Sequence, residues 1–203
     1  MIVDPGGTDP QNVYKLMIGS ILPRPIAFVS TVAADGVPNL APFSFFTGVS
    51  ANPPVICFVP VRRLADGGRK DTLNNIEATR EFVVNIVSED FAEKMNKCSE
   101  EFPPDVDEFV ASGLTPVPSD LVKPPRVKES HINMECRLLQ VVHVSDKPLG
   151  GSVVLGEVVR FHVDDAIVDN FRIDPDKLHP FGRMGGNTYT RCTDRFDLIR
   201  PKK

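Results

Sequence analysis

Residues 25–44 read PIAFVSTVAADGVPNLAPFS, and this segment predicts the first hairpin of the protein. Its first eight residues are mostly apolar and β-branched, which is typical of a strand. The pair Asp35-Gly36 that follows is a strong hairpin signal, so a second strand is expected to begin near Val37. Pro38 and Pro42 restrict that second strand to a sheet edge, a bulge or an irregular stretch, because proline has no N–H to donate to a neighbouring strand.

The rest of the chain continues this pattern of short strands and turns. Further strands are predicted at residues 55–59, 82–87, 132–144, 153–163 and 196–199. Residues 71–80 predict a helix, and the proline-rich, acidic residues 100–128 indicate an excursion that carries one short helix. Six or more strands joined mostly by turns favour a barrel or a sandwich. No G-x-G-x-x-G follows a strand, which argues against a doubly wound dinucleotide fold.

The composition indicates one globular domain over residues 1–203, with 41% hydrophobic and 25% charged residues. The formal net charge of -4 argues against a nucleic-acid partner, which requires a basic surface. The four cysteines form no CxxC pair, so neither a zinc site nor a disulfide framework is expected. The apolar stretches are too short to span a bilayer. We therefore expect a cytoplasmic protein without a membrane partner.

Two segments offer groups that could bind a ligand, and each also has an ordinary structural explanation. Residues 39–52 place hydroxyl groups among small residues, so a planar ligand could lie against the backbone; the alternative is a core strand with satisfied hydroxyls. Lys70 and Thr72 stand at a helix start that Asp71 would cap, and the free N–H groups of such a start favour a phosphate. The alternative is a capped surface helix with flanking basic residues, and no Walker A loop is present.

Two later segments could likewise either bind a ligand or have an ordinary structural role. Strand alternation over residues 156–164 places His162 beside Arg160 on one face, where a histidine either contacts a ligand or has a structural role. A sharp bend at Gly185-Gly186 would present Arg183 and Tyr189. No serine or cysteine has the sequence context of a nucleophile, and the histidines lack metal-ligand spacing. We therefore assign no catalytic residue, expect no metal site, and expect a cofactor to supply any chemistry.

Six segments in chain order resemble one family. They are residues 14–31, 39–44, 50–54, 70–72, 156–164 and 183–189. Together they are similar to the flavin reductase-like, FMN-binding split-barrel family, in the branch of flavoredoxin-like proteins and the small reductase components of two-component monooxygenases. The resemblance extends over nearly the whole chain.

The resemblance implies a mainly β fold, a six-stranded Greek-key split barrel with a few short helices, that works as a homodimer with FMN near the subunit interface. FAD is an alternative cofactor. The flavin ring would be lined by Asn39, Ala41, Pro42, Ser44, Phe45, Ser50, Ala51 and Asn52. The phosphate would be held by Lys70, Asp71 and Thr72, with basic residues around Arg62 or Arg69. His162, Arg183 and Tyr189 would lie around the ring or on the nicotinamide side.

The implied activity is hydride transfer from NADH or NADPH to a flavin, with the nicotinamide and flavin rings stacked by the protein. Two alternatives stay open. One is an electron carrier that keeps its FMN and serves a protein partner, such as a monooxygenase or another electron acceptor. The other is a binding module that has lost its flavin.

Overall fold

The computed structural model of this protein describes residues 1–201, and its main feature is an antiparallel sheet of seven strands. The strands are β1 (Ala27–Val32), β2 (Pro38–Phe43), β3 (Phe46–Ala51), β4 (Pro54–Phe58), β5 (Glu81–Ile86), β6 (Pro116–Val117), β7 (Arg126–Val127), β8 (Ile132–His143), β9 (Ser152–Val163), β10 (Val168–Asp169), β11 (Arg172–Ile173), β12 (Phe181–Arg183) and β13 (Tyr189–Arg191). The helices are α1 (Pro10–Ser20), α2 (Asp71–Thr79), α3 (Ala92–Lys97), α4 (Glu108–Ser112) and α5 (Pro175–Leu178). The main sheet has the order β2-β1-β5-β8-β9-β4-β3. None of the helices in residues 1–201 has the length and apolar character needed to cross a membrane.

One face of the sheet encloses the main core. The Phe58 ring lies between Phe43 and Phe82, with ring centroids 5.2 and 5.5 Å away. Helix α2 contributes Leu73 and Ile76 to the same core, where both are buried. The mainly β architecture with a few short helices that the sequence predicts is confirmed.

The opposite face of β1 and β2 is covered by a second layer. Side chains alternate along a strand, so Phe28 and Leu40 point away from the main core. They pack with Met95 of α3 and Phe109 of α4 in a second buried cluster. The short helix expected within residues 100–128 is therefore present as α4, and the proline-rich excursion forms part of a packed outer layer.

The two edges of the sheet are consecutive strands, β2 and β3. The predicted edge position of the proline-containing strand is confirmed, because β2 pairs only with β1. Leu40 lies between the two prolines on the free edge, and its N–H donates to Glu108 Oε2 at 3.0 Å. The chain then bends at Ser44 and Phe45 and enters β3, which pairs with β4. Residues 46–51 thus form a strand of the main sheet that the sequence did not predict.

The predicted strand at residues 196–199 is wrong. Within the described residues this segment pairs with no strand, and Phe196, Leu198 and Ile199 are more than 80% exposed. Its alternation of apolar residues resembles a strand, but no sheet edge of the subunit receives it.

Candidate functional site

The free edge of β2 borders two neighbouring chambers. The first, here called the lysine chamber, has a volume of about 90 Å³, and its lining includes Asn39, Ala41, Arg63, Lys70, Asp71, Thr72, Glu100, Glu101 and Glu108. The second, the tyrosine chamber, has about 200 Å³ and is lined by Tyr14, Ile26, Ser44, Met95, Arg183 and Tyr189. Pro42, Phe43 and Ser99 border both chambers, so the two form one cleft along the strand.

The start of α2 opens the lysine chamber. The expectation that Asp71 caps this helix is wrong: Lys70 is the N-cap, in extended conformation, and its carbonyl accepts the N–H groups of Leu73 at 3.0 Å and Asn74 at 3.3 Å. No side chain caps the helix, because a lysine side chain has no hydrogen-bond acceptor; Asp71 is the first helical residue, and its carboxylate pairs with Arg63 at 3.4 Å. The first-turn N–H groups therefore keep no side-chain acceptor, and such groups favour an anion.

Asn39 and Thr72 join β2 to α2 at this point. The Asn39 Nδ2 group donates to Thr72 Oγ1 at 3.0 Å, and both residues are buried. The sequence assigns them to separate segments, and the fold brings them to one wall. Because a hydroxyl that accepts one hydrogen bond can still donate its own hydrogen, Thr72 remains a donor for a ligand.

Arg63 supplies the second cation of the lysine chamber. The sequence suggested Arg62 or Arg69 for this role, but Arg62 pairs with Asp146 at 2.5 Å and Arg69 pairs with Glu77. Only Arg63 of these three arginines lines the chamber. Residues 62–70 form an irregular loop, so spacing along the sequence could not identify the arginine that turns inward.

Glu108 is a buried carboxylate in the wall of the lysine chamber. Burial raises its pKa to about 6, although the hydrogen bond from the Leu40 N–H acts in the opposite direction. Sequence analysis missed this residue because it lies in the excursion, far along the chain from β2. Its function in the fold is visible: it satisfies the backbone N–H of Leu40 on the free edge of β2.

Arg24 holds three sides of the tyrosine chamber together. Its guanidinium donates to the carbonyl oxygens of Ile18, Ile21 and Met184 and to Ser44 Oγ, at 2.5–3.2 Å. These acceptors belong to α1, the end of β2 and the β12–β13 connection. Arg24 is only 3% exposed, and no carboxylate within residues 1–201 pairs with it. Burial accordingly lowers its pKa.

Arg183 and Tyr189 are cross-strand partners in the β12–β13 hairpin. The Arg183 guanidinium carbon lies 4.5 Å from the centre of the Tyr189 ring, and the Tyr189 hydroxyl donates to Asn96 Oδ1 at 3.0 Å. The turn between them passes through Gly186 at a φ of +60°, a conformation that glycine adopts without strain. The bend that the sequence predicts is confirmed, and both side chains border the tyrosine chamber.

Several expected site residues do not border either chamber of this subunit. The Phe45 ring packs against Tyr14, with 6.5 Å between centroids, while Ser50, Ala51 and Asn52 lie exposed at the end of β3. His162 borders a separate groove, together with His131 and Phe161. The structure therefore brings together Asn39, Ala41, Pro42, Ser44, Lys70, Asp71, Thr72, Arg183 and Tyr189, and leaves these five apart.

His162 has a structural partner in its groove. Its Nε2 lies 2.5 Å from Oε1 of the fully buried Glu135, which also accepts the N–H groups of Asp120, Leu121 and Val122. Burial raises the pKa of Glu135, but these N–H groups and His162 outweigh it, so the net pKa is lowered. Asp120, Glu135 and His162 have metal-ligand spacing. However, the oxygens of Glu135 are already engaged, so this cluster anchors the excursion to β8 and β9.

Comparison with known proteins identifies the family. The sequence model of the flavin reductase like domain matches residues 18–177. The chain belongs to this family. Nitrilotriacetate monooxygenase component B from Bacillus cereus is 37% identical, with a TM-score of 0.92 over 98% of both chains. The 2-nitrobenzoate 2-nitroreductase NbaA from Pseudomonas fluorescens is 33% identical, with a TM-score of 0.88 over 99% of this chain and 96% of its own.

A third solved structure, with lower sequence identity, is described as a split barrel. It is a split-barrel protein from Shewanella frigidimarina assigned as a flavin reductase, 23% identical with a TM-score of 0.84 over 99% of this chain and 100% of its own. The split barrel that the resemblance implied is thereby confirmed.

The residues of the cleft fit a flavin. A flavin nucleotide combines an anionic phosphate with a large planar ring. The lysine chamber offers two cations, two hydroxyls and an uncapped helix start, beside four carboxylates. The roomier tyrosine chamber offers three aromatic rings and two serine hydroxyls. The flavin reductase-like family and the donor set of the cleft therefore agree on a flavin-binding oxidoreductase.

Proposed function

We propose that this protein binds FMN and reduces flavin with NADH or NADPH. One observation carries the proposal: Lys70, Arg63, Thr72 and the uncapped start of α2 converge at one end of a cleft whose other end is aromatic. This polarity matches a ligand with a phosphate at one end and a ring at the other. Family membership supports the flavin, and the cleft supports its orientation.

The lysine chamber would hold the phosphate, because charge-assisted contacts from Lys70 and Arg63 favour a dianion. The ring would lie in the tyrosine chamber against the backbone between Pro42 and Ser44. The small volume of the lysine chamber favours FMN over FAD, since FAD continues beyond its first phosphate with an adenosine diphosphate portion.

When bound, the flavin supplies the hydride acceptor for a reduced nicotinamide. The protein would hold the ring so that the nicotinamide ring can approach it closely. Arg24 fixes Ser44 and the β12–β13 hairpin, and thereby the shape of the tyrosine chamber. We assign no acid or base to the hydride step, because hydride transfer itself requires neither.

We also propose a homodimer in which the partner subunit completes the ring side of the cleft. Tyr14, Met17 and Ile21 form an exposed apolar stripe along α1 and its end, and this stripe begins at the tyrosine chamber. Val49 on the exposed edge strand β3, and Phe196, Leu198 and Ile199, add further exposed apolar side chains. Soluble monomers rarely leave such patches uncovered. A partner subunit would bring its own Ser50–Asn52 segment or His162 toward the flavin.

Lys70→Ala tests the phosphate placement. We expect the variant to lose FMN affinity by on the order of ten- to a hundredfold, because a hydrogen bond to a charged group contributes roughly 1.5–3 kcal/mol. Riboflavin lacks the phosphate, so the affinity of the variant for riboflavin should change little. Both dissociation constants can be measured by titrating flavin fluorescence.

Lys97→Ala is the matched control, because Lys97 lies on nearby α3, does not line the lysine chamber and pairs with Glu100. It should leave the affinity for both flavins nearly unchanged. Equal losses of FMN and riboflavin affinity in Lys70→Ala would contradict the proposed orientation, and failure of the wild type to bind either flavin would contradict the function.

A further inference from the structure

Glu101 occupies the position in the lysine chamber where a phosphate would bind. Its Oε1 lies 3.1 Å from Lys70 Nζ and 3.9 Å from Arg63 Nε. One carboxylate oxygen thus bridges the two cations that line this chamber. In this geometry the protein supplies its own anion to the anion-binding end of the cleft.

Of the four charged groups that meet here, Glu101 is the most loosely held. Its side chain is 57% exposed, whereas those of Lys70, Arg63 and Asp71 are 31%, 23% and 26% exposed. Arg63 also pairs with Asp71, so it stays in place when Glu101 departs. Ion pairs with one half-exposed member are weak, because water solvates the released carboxylate well.

A phosphate ester binds the same cations more strongly than a carboxylate. It carries a charge of about −1.5 to −2 and three acceptor oxygens, against one charge for Glu101. It would also reach the uncapped N–H groups at the start of α2. The two anions cannot share Lys70 without strong repulsion, so binding of the phosphate requires Glu101 to move into solvent.

We infer that Glu101 is an intramolecular competitor for the FMN phosphate and sets how strongly this protein discriminates FMN from riboflavin. The inference rests on the proposed function. Removing the Glu101 charge should leave Lys70 unpaired and Arg63 paired with Asp71 alone, so that both can contact the ligand. FMN affinity should rise, and riboflavin affinity should not change because riboflavin has no group to place there.

The test compares the wild type with Glu101→Gln and Glu100→Gln, by fluorescence titration with FMN and with riboflavin. We expect Glu101→Gln to tighten FMN binding about two- to fivefold, the range that a partly exposed ion pair spans. Glu100 is the matched control: it is the adjacent residue, carries the same charge and also lines the chamber, but its carboxylate pairs with Lys97 at 2.6 Å and not with Lys70 or Arg63. Glu100→Gln therefore measures the effect of removing one negative charge that does not pair with the two cations, and it should have a smaller effect.

The outcomes separate the two proposals. If the wild type binds neither flavin, the proposed function and this inference fail together. If the wild type prefers FMN but Glu101→Gln binds it no better than Glu100→Gln does, the proposed function survives and the competition by Glu101 is refuted. Tighter binding of riboflavin as well as FMN in Glu101→Gln would also refute it, because it would show a general opening of the cleft.

Discussion

At the residue scale, the cleft depends on charged groups that the fold has partly removed from water. Arg24 is a buried cation that is satisfied by carbonyl oxygens and a hydroxyl. Glu108 is a buried carboxylate that is satisfied by one backbone N–H. Each group stabilises part of the edge strand β2: Arg24 fixes the end of β2 against α1, and Glu108 satisfies the free edge of the same strand. Buried charges of this kind are costly to leave unpaired.

Glu108 predicts a specific dependence of stability on pH. Its pKa in the folded protein, about 6, lies above its ordinary value of 4.5, so the folded state takes up the proton first as pH falls. The associated stabilisation is present below pH 4.5 and is lost as pH rises through about 6. As pH rises from 4.5 to about 6, we expect the free energy of unfolding to fall by up to about 2 kcal/mol more in the wild type than in Glu108→Gln.

Urea unfolding at several pH values between 4.5 and 6.5 would measure this difference, with the exposed Glu100→Gln as the control variant. Parallel pH profiles for the wild type and Glu108→Gln would show that Glu108 titrates normally and would contradict its assignment as a buried carboxylate.

At the scale of elements, the strands that form the barrel were more predictable than the loops that complete the site. Pro38 and Pro42 identified an edge strand because their missing N–H groups have a local consequence. Arg63 and Glu101 were missed because they reach Lys70 through irregular loops, where sequence spacing does not fix direction. Strand β3 was missed because its residues are mostly exposed, so it lacks the buried apolar face by which a strand is recognised.

Gly156 shows why one position of β9 must be a glycine. A Cβ atom at this position would lie 2.3 Å from Cζ of Phe82 in the main core. We expect Gly156→Ala to reduce the free energy of unfolding by roughly 1–3 kcal/mol, because the core has no room for an added methyl group. Chemical denaturation measures the change.

Gly48→Ala is the matched control for that substitution. Gly48 also lies in a strand of the main sheet, but a Cβ there would have no atom within 4 Å. Its replacement should be neutral or slightly stabilising, since alanine loses less backbone entropy on folding. A Gly156→Ala variant as stable as Gly48→Ala would contradict the close packing of β9 against Phe82.

At the scale of the whole molecule, the subunit is closed on one side and open on the other. The excursion covers the outer face of β1 and β2, and Glu135 ties it to the sheet through three successive N–H groups. The apolar stripe on α1 has no such cover, and α1 contains no buried residue. An amphipathic helix that borders the proposed ligand cleft yet buries none of its residues supports the proposed homodimer.

We expect light scattering at micromolar concentration to give twice the subunit mass of 22.3 kDa. Met17→Asp should shift the protein toward the monomer, because Met17 is 47% exposed in the subunit but central in the stripe. Val110→Asp changes a residue that is 79% exposed on α4, away from the stripe, and should leave the dimer intact. A wild type with the mass of one subunit would contradict the proposed dimer.

The most direct test of the proposed activity is anaerobic titration of the FMN-loaded protein with NADH, and separately with NADPH, followed by visible absorption. We predict that one flavin is bound per subunit and that its oxidised absorption is lost with one equivalent of at least one nicotinamide. If the flavin stays oxidised with both nucleotides but is reduced by a chemical reductant, the proposed reductase activity is contradicted. The alternative, an electron carrier that keeps its FMN and serves a protein partner, would then be favoured. A protein that retains no flavin would contradict the account as a whole.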